Sequence, residues 1–164
     1  MNLVKVGSGY RYEGDPNKIR WSVNDVEMRI LSELFVGKTV LEIGTGPGVS
    51  TRAIAKVAKF VHTVDVEEWV RDNIVPMLPE NTKFYLGIEN FDEKVDVAFI
   101  DGDHSFQACL KDIDTCRKYV KEGGMILIHD IFYAEVRDAI SFSKLNCYEM
   151  KTGIGLGIAW NDKV

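Results

Sequence analysis

The sequence predicts an α/β fold in which helices cover both faces of a mostly parallel sheet of seven strands. Short β-favouring runs alternate along the chain with helical apolar patterns, and the strongest runs are continuously apolar, as in strands buried on both faces. No helix separates the last two strands, which predicts an antiparallel last strand. The length of 164 residues and the hydrophobic content of 46% fit a single domain over residues 1–164.

The beginning of the chain is predicted to differ from the rest. Residues 1–21 lack periodicity and are interrupted by glycine and proline, so we expect an irregular arm, which either packs against the domain or forms a lid. Its large side chains are Tyr10, Tyr12 and Trp21. A first helix is predicted from Ser22 to about Gly37, with Ser22 as its capping residue. Its buried face is predicted to hold Val23, Val26, Ile30, Leu31, Leu34 and Phe35.

Strands and helices then alternate to the end of the chain. The strands are predicted at 39–43, 60–64, 83–86, 95–100, 125–128, 147–150 and 156–160. The helices are predicted through Ile54 to Ala58 and at about 67–77, 106–120 and 134–143. Gly123 and Gly124 are interpreted as the turn before the fifth strand.

Composition excludes several classes of protein. A net charge of −5 and a pI near 5.2 argue against binding the phosphate backbone of nucleic acids. No window approaches the ~20 apolar residues of a membrane span. Cys109, Cys116 and Cys147 match neither a disulfide framework nor a zinc site, so we expect reduced thiols in a cytoplasmic protein.

A glycine-rich turn follows the first predicted strand of the sheet. Gly44, Gly46 and Gly48 are placed to let the backbone approach a ligand closely, but Val49 stands where a dinucleotide fingerprint has its third glycine. Asp65 ends the next strand roughly twenty residues later, where an acid is expected to bind ribose hydroxyls. Together these features predict a nucleoside ligand.

Together with the glycine-rich turn and Asp65, the runs FIDGDHSF at 99–106 and GGMILIHD at 123–130 resemble the class I S-adenosylmethionine-dependent methyltransferases. The resemblance implies a Rossmann-like doubly wound fold. The resemblance covers residues 22–160. Within the class, the two runs look like the branch of macrocin-type sugar O-methyltransferases, which is related to catechol O-methyltransferase.

The resemblance implies which residues contact the cofactor, S-adenosyl-L-methionine. Glu42 would orient the glycine loop and the methionine amino group, Ser50 would contact the methionine carboxylate, and Asp65 would bind the ribose. Gly87, Ile88 and Glu89 would contact adenine. The complete implied set is Glu42, Gly44, Thr45, Gly46, Gly48, Ser50, Asp65, Val66, Gly87, Ile88, Glu89 and Asp101.

Acids and histidines follow two neighbouring strands of the predicted sheet. Asp101, Asp103, His104, His129 and Asp130 are expected to meet at the carboxyl ends of these strands. His104 and His129 are the candidate general bases, because the ordinary pKa of histidine lies near neutrality. The candidate catalytic set is Asp101, His104, His129 and Asp130.

A divalent ion, Mg²⁺ or Mn²⁺, is a further expectation at Asp101 and Asp130. The magnesium-binding relatives have an acid at the first position and adjacent acid or amide residues at the second, which supply oxygen ligands. Here Ile131 follows Asp130, so one of the implied ligands is missing. Either Asp101 and Asp130 would bind the ion together with waters, or His129 would compensate with nitrogen, which suits manganese better than magnesium.

The predicted function is transfer of a methyl group to a hydroxyl of a small molecule. A homodimer is a further expectation, in which residues 1–21 would contact the second subunit. A nicotinamide-dependent oxidoreductase is an alternative, against which Val49 and the antiparallel ending count. A non-catalytic module that binds S-adenosylmethionine is another, favoured by the small size and the incomplete metal site.

Overall fold

The structure is a computed structural model that describes residues 3–6, 9–12 and 15–162, with side chains described from residue 22 to residue 162. The strands are β1 (Leu3–Val6), β2 (Gly9–Tyr12), β3 (Asp15–Trp21), β4 (Thr39–Ile43), β5 (Phe60–Asp65), β6 (Thr82–Leu86), β7 (Val95–Ile100), β8 (Val120–His129), β9 (Cys147–Met150) and β10 (Leu156–Trp160). The α-helices are α1 (Asp25–Leu34), α2 (Val49–Ala55), α3 (Glu68–Asn73), α4 (Phe106–Tyr119) and α5 (Ala134–Phe142), and a 3₁₀ turn covers Val75–Met77.

Seven strands form the main sheet in the order β6-β5-β4-β7-β8-β10-β9. Strands β4 to β8 pair in parallel, while β10 runs antiparallel to both of its neighbours, β8 and β9. The predicted α/β fold, with a mostly parallel sheet and an antiparallel last strand, is therefore confirmed. The chain order reverses beside β4, so the carboxyl ends of β4 and β7 flank the point where ligands bind in such sheets.

Two apolar layers cover the sheet, as continuous apolar strands predict. Leu41 of β4 belongs to the layer that packs under α4 and α5, whereas Val40 belongs to the layer that packs under α1 and α2. Successive residues of a strand point to opposite faces, which is why neighbours in β4 serve different layers. None of the helices in the described part of the chain is long and apolar enough to span a membrane.

The amino-terminal segment corrects one prediction. Residues 1–21 were expected to be irregular, but β1, β2 and β3 form a separate antiparallel sheet of three strands. Its glycines and its proline mask the pattern, because such residues are typical of turns and strand edges as well as of irregular arms. The side chains of Tyr10, Tyr12 and Trp21, and with them the predicted lid, lie outside the described residues.

Two local details also differ from the sequence prediction. Asn24, rather than Ser22, caps α1: its side chain accepts the N–H groups of Val26 and Glu27. Gly123 and Gly124 lie within β8, where the pairing with β7 shifts register between Val95 and Val97. Glycine suits a bulge in a strand as well as it suits a turn, so the sequence alone did not separate the two.

Candidate active site

A cleft of about 750 Å³ opens at the carboxyl ends of β4, β7 and β8. Its lining combines the glycine loop, the ends of β7 and β8, the start of α1 and the loop before β10: Ser22, Asn24, Glu27, Gly44, Thr45, Gly46, Pro47, Ser50, Asp101, Gly102, His104, His129, Asp130, Tyr133, Gly153 and Ile154. A smaller depression of about 490 Å³ lies along α4 and contains none of the predicted site residues. The larger cleft is therefore the candidate active site.

The glycine loop packs directly on the end of β7. Gly44 has a φ of +98°, and a Cβ added there would overlap the backbone carbonyl of Asp101. A side chain at this position would therefore have to push the loop and the strand apart. Glycine here brings the backbone of the loop against Asp101, which belongs to both the implied cofactor set and the candidate catalytic set.

A buried carboxylate supports the loop from below. Glu42 is fully buried and accepts hydrogen bonds from the hydroxyls of Ser50 (2.6 Å), Thr51 (2.5 Å) and Thr63 (2.6 Å). We call these four residues the loop bed. Burial raises the pKa of Glu42 to about 7, and the three hydroxyl donors only partly oppose that rise. Glu42 lies beneath the cleft, not in its lining, so it fixes α2 and β5 relative to the loop.

The predicted ribose acid also contacts the glycine loop. Asp65 accepts the N–H of Gly46 at 2.9 Å with one oxygen and the N–H of Glu67 at 2.9 Å with the other. These bonds tie the end of β5 to the loop. Val66 beside it is 81% exposed, which leaves an apolar side chain at the surface next to the loop.

The remaining predicted cofactor residues lie at the same edge of the sheet but outside the lining of the cleft. Gly87 follows β6 and donates its N–H to the carbonyl of Asp65, Ile88 packs against the core, and the carboxylate of Glu89 lies beside Gly87. Of the implied cofactor set, the cleft lining holds Gly44, Thr45, Gly46, Ser50 and Asp101.

Opposite the glycine loop, acids surround a buried histidine. His129 is only 8% exposed. Its Nδ1 lies 3.0 Å from Asp101 Oδ1 and 3.2 Å from Asp130 Oδ1. Its Nε2, on the other side of the ring, lies 2.9 Å from Glu27 Oε2. Since both ring nitrogens face carboxylates, both carry protons and the ring is an imidazolium. Burial opposes this charge, but the bonds to Asp101, Asp130 and Glu27 raise the pKa of His129 to about 12.

His104 shares one of these acids with His129. Its Nε2 lies 2.7 Å from Asp130 Oδ2, and its side chain remains 45% exposed to the cleft. The bond to Asp130 raises the pKa of His104 above its ordinary value. Asp130 itself has a φ of +58°, a left-handed conformation that costs a non-glycine residue ~1–3 kcal/mol. The backbone is thus held in an unfavourable conformation that directs Asp130 between the two histidines.

Of the five acids and histidines predicted to meet at these strand ends, four line the cleft. Asp103 does not: its carboxylate accepts the N–H of Ser105 and stabilises the start of α4. The sequence reasoning missed Glu27, which is 1% exposed and completes the group. A signal was available, because Glu27 lies four residues from both Val23 and Leu31, in the position of a buried helical residue. We call Glu27, Asp101, His104, His129 and Asp130 the ion cluster.

The residues of the ion cluster do not fit a resident Mg²⁺ or Mn²⁺ ion. Asp101, His104 and Asp130 offer ligand atoms within 4.8 Å of one another. However, both carboxylates already face the imidazolium of His129, whose charge would repel a second cation. Ile131, at the position where the relatives have another ligand, is 2% exposed and packed in the core.

The doubly wound sheet with its antiparallel last strand, the glycine loop after β4 and the acid at the end of β5 fit the S-adenosylmethionine-dependent methyltransferases. The family model described as a methyltransferase domain matches residues 41–131. The chain belongs to this family. A search of the curated proteins found no match.

Solved structures resemble the chain at the level of the fold. The cofactor-bound Rv0187 from MTB has a TM-score of 0.72 and 19% identity over 87% of this chain and 83% of its own. The O-methyltransferase TomG from Streptomyces achromogenes, in complex with SAM, has a TM-score of 0.68 and 12% identity over 87% and 82%. The N-methyltransferase NodS from Bradyrhizobium japonicum has a TM-score of 0.65 and 16% identity over 84% and 94%.

Proposed function

We propose that this chain methylates a hydroxyl of a small, uncharged molecule, with S-adenosylmethionine as the methyl donor and His104 as the general base. The observation that carries the proposal is the bond of 2.7 Å between His104 Nε2 and Asp130 Oδ2 inside the cleft. Because the carboxylate accepts the proton on Nε2, it fixes the ring tautomer and leaves Nδ1 as the basic nitrogen. The half-exposed ring is then free to take a proton from an acceptor.

A base of this kind favours oxygen over nitrogen as the methyl acceptor. The cofactor, when bound, supplies a methyl group on a sulfonium. An amine attacks with its lone pair and loses its proton afterwards, whereas a hydroxyl is a weak nucleophile unless a base removes its proton during attack. The neighbours include an O- and an N-methyltransferase, so the fold alone leaves this choice open, and the His104–Asp130 pair supports oxygen.

The charge of the cleft favours an uncharged acceptor. Among the described residues that line it, none is a lysine or arginine, while three, Glu27, Asp101 and Asp130, are acids. A phosphorylated acceptor would meet these carboxylates without a compensating cation other than the histidines. Tyr133 and Ile154, 47% and 46% exposed, offer apolar contact at the mouth. The likeness of residues 99–106 and 123–130 to sugar and catechol O-methyltransferases also supports a small hydroxylated acceptor.

Release of S-adenosylhomocysteine tests the proposal. We expect turnover with uncharged hydroxylated acceptors, much weaker turnover with their phosphorylated forms, and no change on adding a chelator. Turnover with amines alone would contradict the choice of oxygen. Binding of S-adenosylmethionine without turnover of any acceptor would favour a binding module instead.

Calorimetry tests the cofactor site separately. Asp65→Ala is expected to weaken binding of S-adenosylhomocysteine by about tenfold or more, since it removes a charged acceptor and frees the glycine loop. Asp72→Ala, an exposed acid on α3, is the control and should bind as the wild type does. Equal affinity in both variants would exclude Asp65 from the cofactor site.

A further inference from the structure

Glu27 stands where packing alone would favour an apolar residue. In the sequence, Glu27 is the second member of a row spaced by four residues that runs from Val23, just before the N-cap of α1, through Leu31 to the C-cap residue Phe35. The three apolar members of this row are at most 2% exposed, and Glu27 is 1% exposed. Burying a carboxylate costs free energy unless charged or hydrogen-bonded partners offset the loss of water. Its presence in an apolar row therefore indicates a role other than packing.

The partners of Glu27 identify that role. Its Oε2 accepts the backbone N–H of Asn24 at 2.9 Å, within the capping box of α1, and lies 2.9 Å from Nε2 of His129 on β8. Burial opposes ionisation, but these bonds hold the pKa of Glu27 below its ordinary value. A carboxylate fixed to the first turn of a helix is a rigid acceptor, because the capping box limits its rotation.

His129 connects Glu27 to the acids of the cleft. With Nε2 held by Glu27, the ring places Nδ1 between Asp101 and Asp130, and Asp130 in turn bonds His104. Without Glu27, the Nε2 side of the ring has no other acceptor among the described hydrogen bonds, so the ring is free to tilt away from the two acids. A tilt of that kind changes the position of Asp130 and, through it, of His104.

We infer that Glu27 is a positioning residue for methyl transfer: acting through His129, it sets the orientation of Asp101 and of the Asp130–His104 pair toward the acceptor. This inference rests on the proposed function. Glu27 does not need to touch the cofactor or the acceptor. Loss of its contact should therefore lower kcat and leave cofactor affinity unchanged.

Three variants of the full chain test the inference. Glu27→Leu restores the apolar row and removes the acceptor of the Nε2 proton. Glu27→Gln keeps the size and offers an amide oxygen to both Asn24 and His129. Glu33→Leu, on the exposed face of the same helix, is the matched control. The measurements are kcat and KM per folded molecule, the Kd of S-adenosylhomocysteine, and the hydrogen-bonded ring protons of His129 by NMR.

In Glu27→Leu we expect loss of the Nε2 proton signal, a decrease in kcat of about ten- to a hundredfold from misplacement of the reacting groups, and a Kd for S-adenosylhomocysteine within about twofold of the wild type. Glu27→Gln should restore the signal and most of kcat, and Glu33→Leu should match the wild type. The inference is overturned if Glu27→Leu retains the signal or kcat, if its Kd worsens as much as its kcat, or if Glu27→Gln restores the signal without kcat.

The proton signals also separate failure of the inference from failure of the proposed function. If the wild type turns over no acceptor, the proposed function fails. The Nε2 signal then decides the inference alone: its survival in Glu27→Leu shows that Glu27 does not orient the ring, and its loss shows that it does.

Discussion

Two buried glutamates, one beneath the glycine loop and one in the lining of the cleft, have pKa values that move in opposite directions. Glu42 in the loop bed and Glu27 in the ion cluster are 0% and 1% exposed. Burial raises the pKa of Glu42 to about 7, and its neutral hydroxyl partners only partly oppose that rise. The pKa of Glu27 is lowered despite burial, because His129 supplies a positive charge.

The comparison shows that burial alone does not determine what a carboxylate contributes. Burial favours a proton on Glu42, and its neutral hydroxyl donors oppose that preference only in part, so the loop bed acts as a support without a fixed charge. The imidazolium of His129 keeps Glu27 ionised, so the ion cluster is a set of fixed charges beside the reacting groups. Changes in the loop bed should therefore affect folding and cofactor binding, and changes in the ion cluster should affect the rate.

The largest expected effect is on the rate. His104→Gln removes the proposed base and should lower kcat by ~10²- to 10⁴-fold, with little change in cofactor affinity. Steady-state kinetics and calorimetry measure the two quantities. Asp138→Asn, an exposed acid on α5, is the control. A comparable loss of cofactor affinity would contradict the division between the two regions, and an unchanged kcat would exclude His104 as the base.

The next effect is on stability, at the contact between the two regions. In Gly44→Ala, the new Cβ overlaps the carbonyl of Asp101, so we expect a loss of about 3 kcal/mol in the free energy of unfolding, together with weaker cofactor binding. Gly37→Ala is the matched control, since Gly37 also has a positive φ but has open space around its Cβ position. Gly37→Ala should lower the free energy of unfolding by about 1 kcal/mol, from backbone strain alone. Equal decreases in the free energy of unfolding in the two variants would show that the glycine loop moves to make room for the new Cβ.

The next effect, of similar or smaller size, concerns the proton on Glu42. Burial raises its folded-state pKa from 4.5 to about 7, so the folded chain keeps this proton over a pH range in which the unfolded chain loses it. The contribution of Glu42 to the free energy of unfolding therefore decreases as pH rises from 4.5 through about 7, by up to about 3 kcal/mol.

Urea unfolding at several pH values measures this contribution. In Glu42→Gln the decrease should disappear, whereas Glu80→Gln, at an exposed position, should retain it. If Glu42→Gln shows the same pH dependence as the wild type, the loop bed does not hold a protonated carboxylate, and the contrast with Glu27 fails.

The smallest expected effect is a shift in the pH profile. His104 must be neutral to act as the base, so kcat/KM should rise with pH through its pKa, which the bond to Asp130 raises. In Asp130→Asn the raising charge is lost, and the midpoint of this rise should move to lower pH. A midpoint that stays in place would mean that the titration belongs to another group.

Local sequence patterns predicted the sheet almost completely. The strands at Thr39–Ile43, Val95–Ile100 and Leu156–Trp160 have the predicted bounds, because largely apolar runs flanked by polar or glycine residues mark buried strands clearly. Cys147–Met150 also has the predicted bounds, although it is an edge strand without a buried residue. The sheet of β1 to β3 was not predicted, since strands with glycine and proline at their turns lack that contrast.

What the sequence by itself determined is the class of fold, the glycine loop with Asp65, and the placing of Asp101, His104, His129 and Asp130 at neighbouring strand ends. These follow from local periodicity and from the rule that parallel strands end at one edge. Only the tertiary structure decided that both ring nitrogens of His129 face carboxylates and that Asp130 lies between the two histidines. It also decided that Glu27 completes the ion cluster. Glu27 and His129 are 102 residues apart in the chain, and such a contact depends on how α1 packs on the sheet rather than on any local pattern.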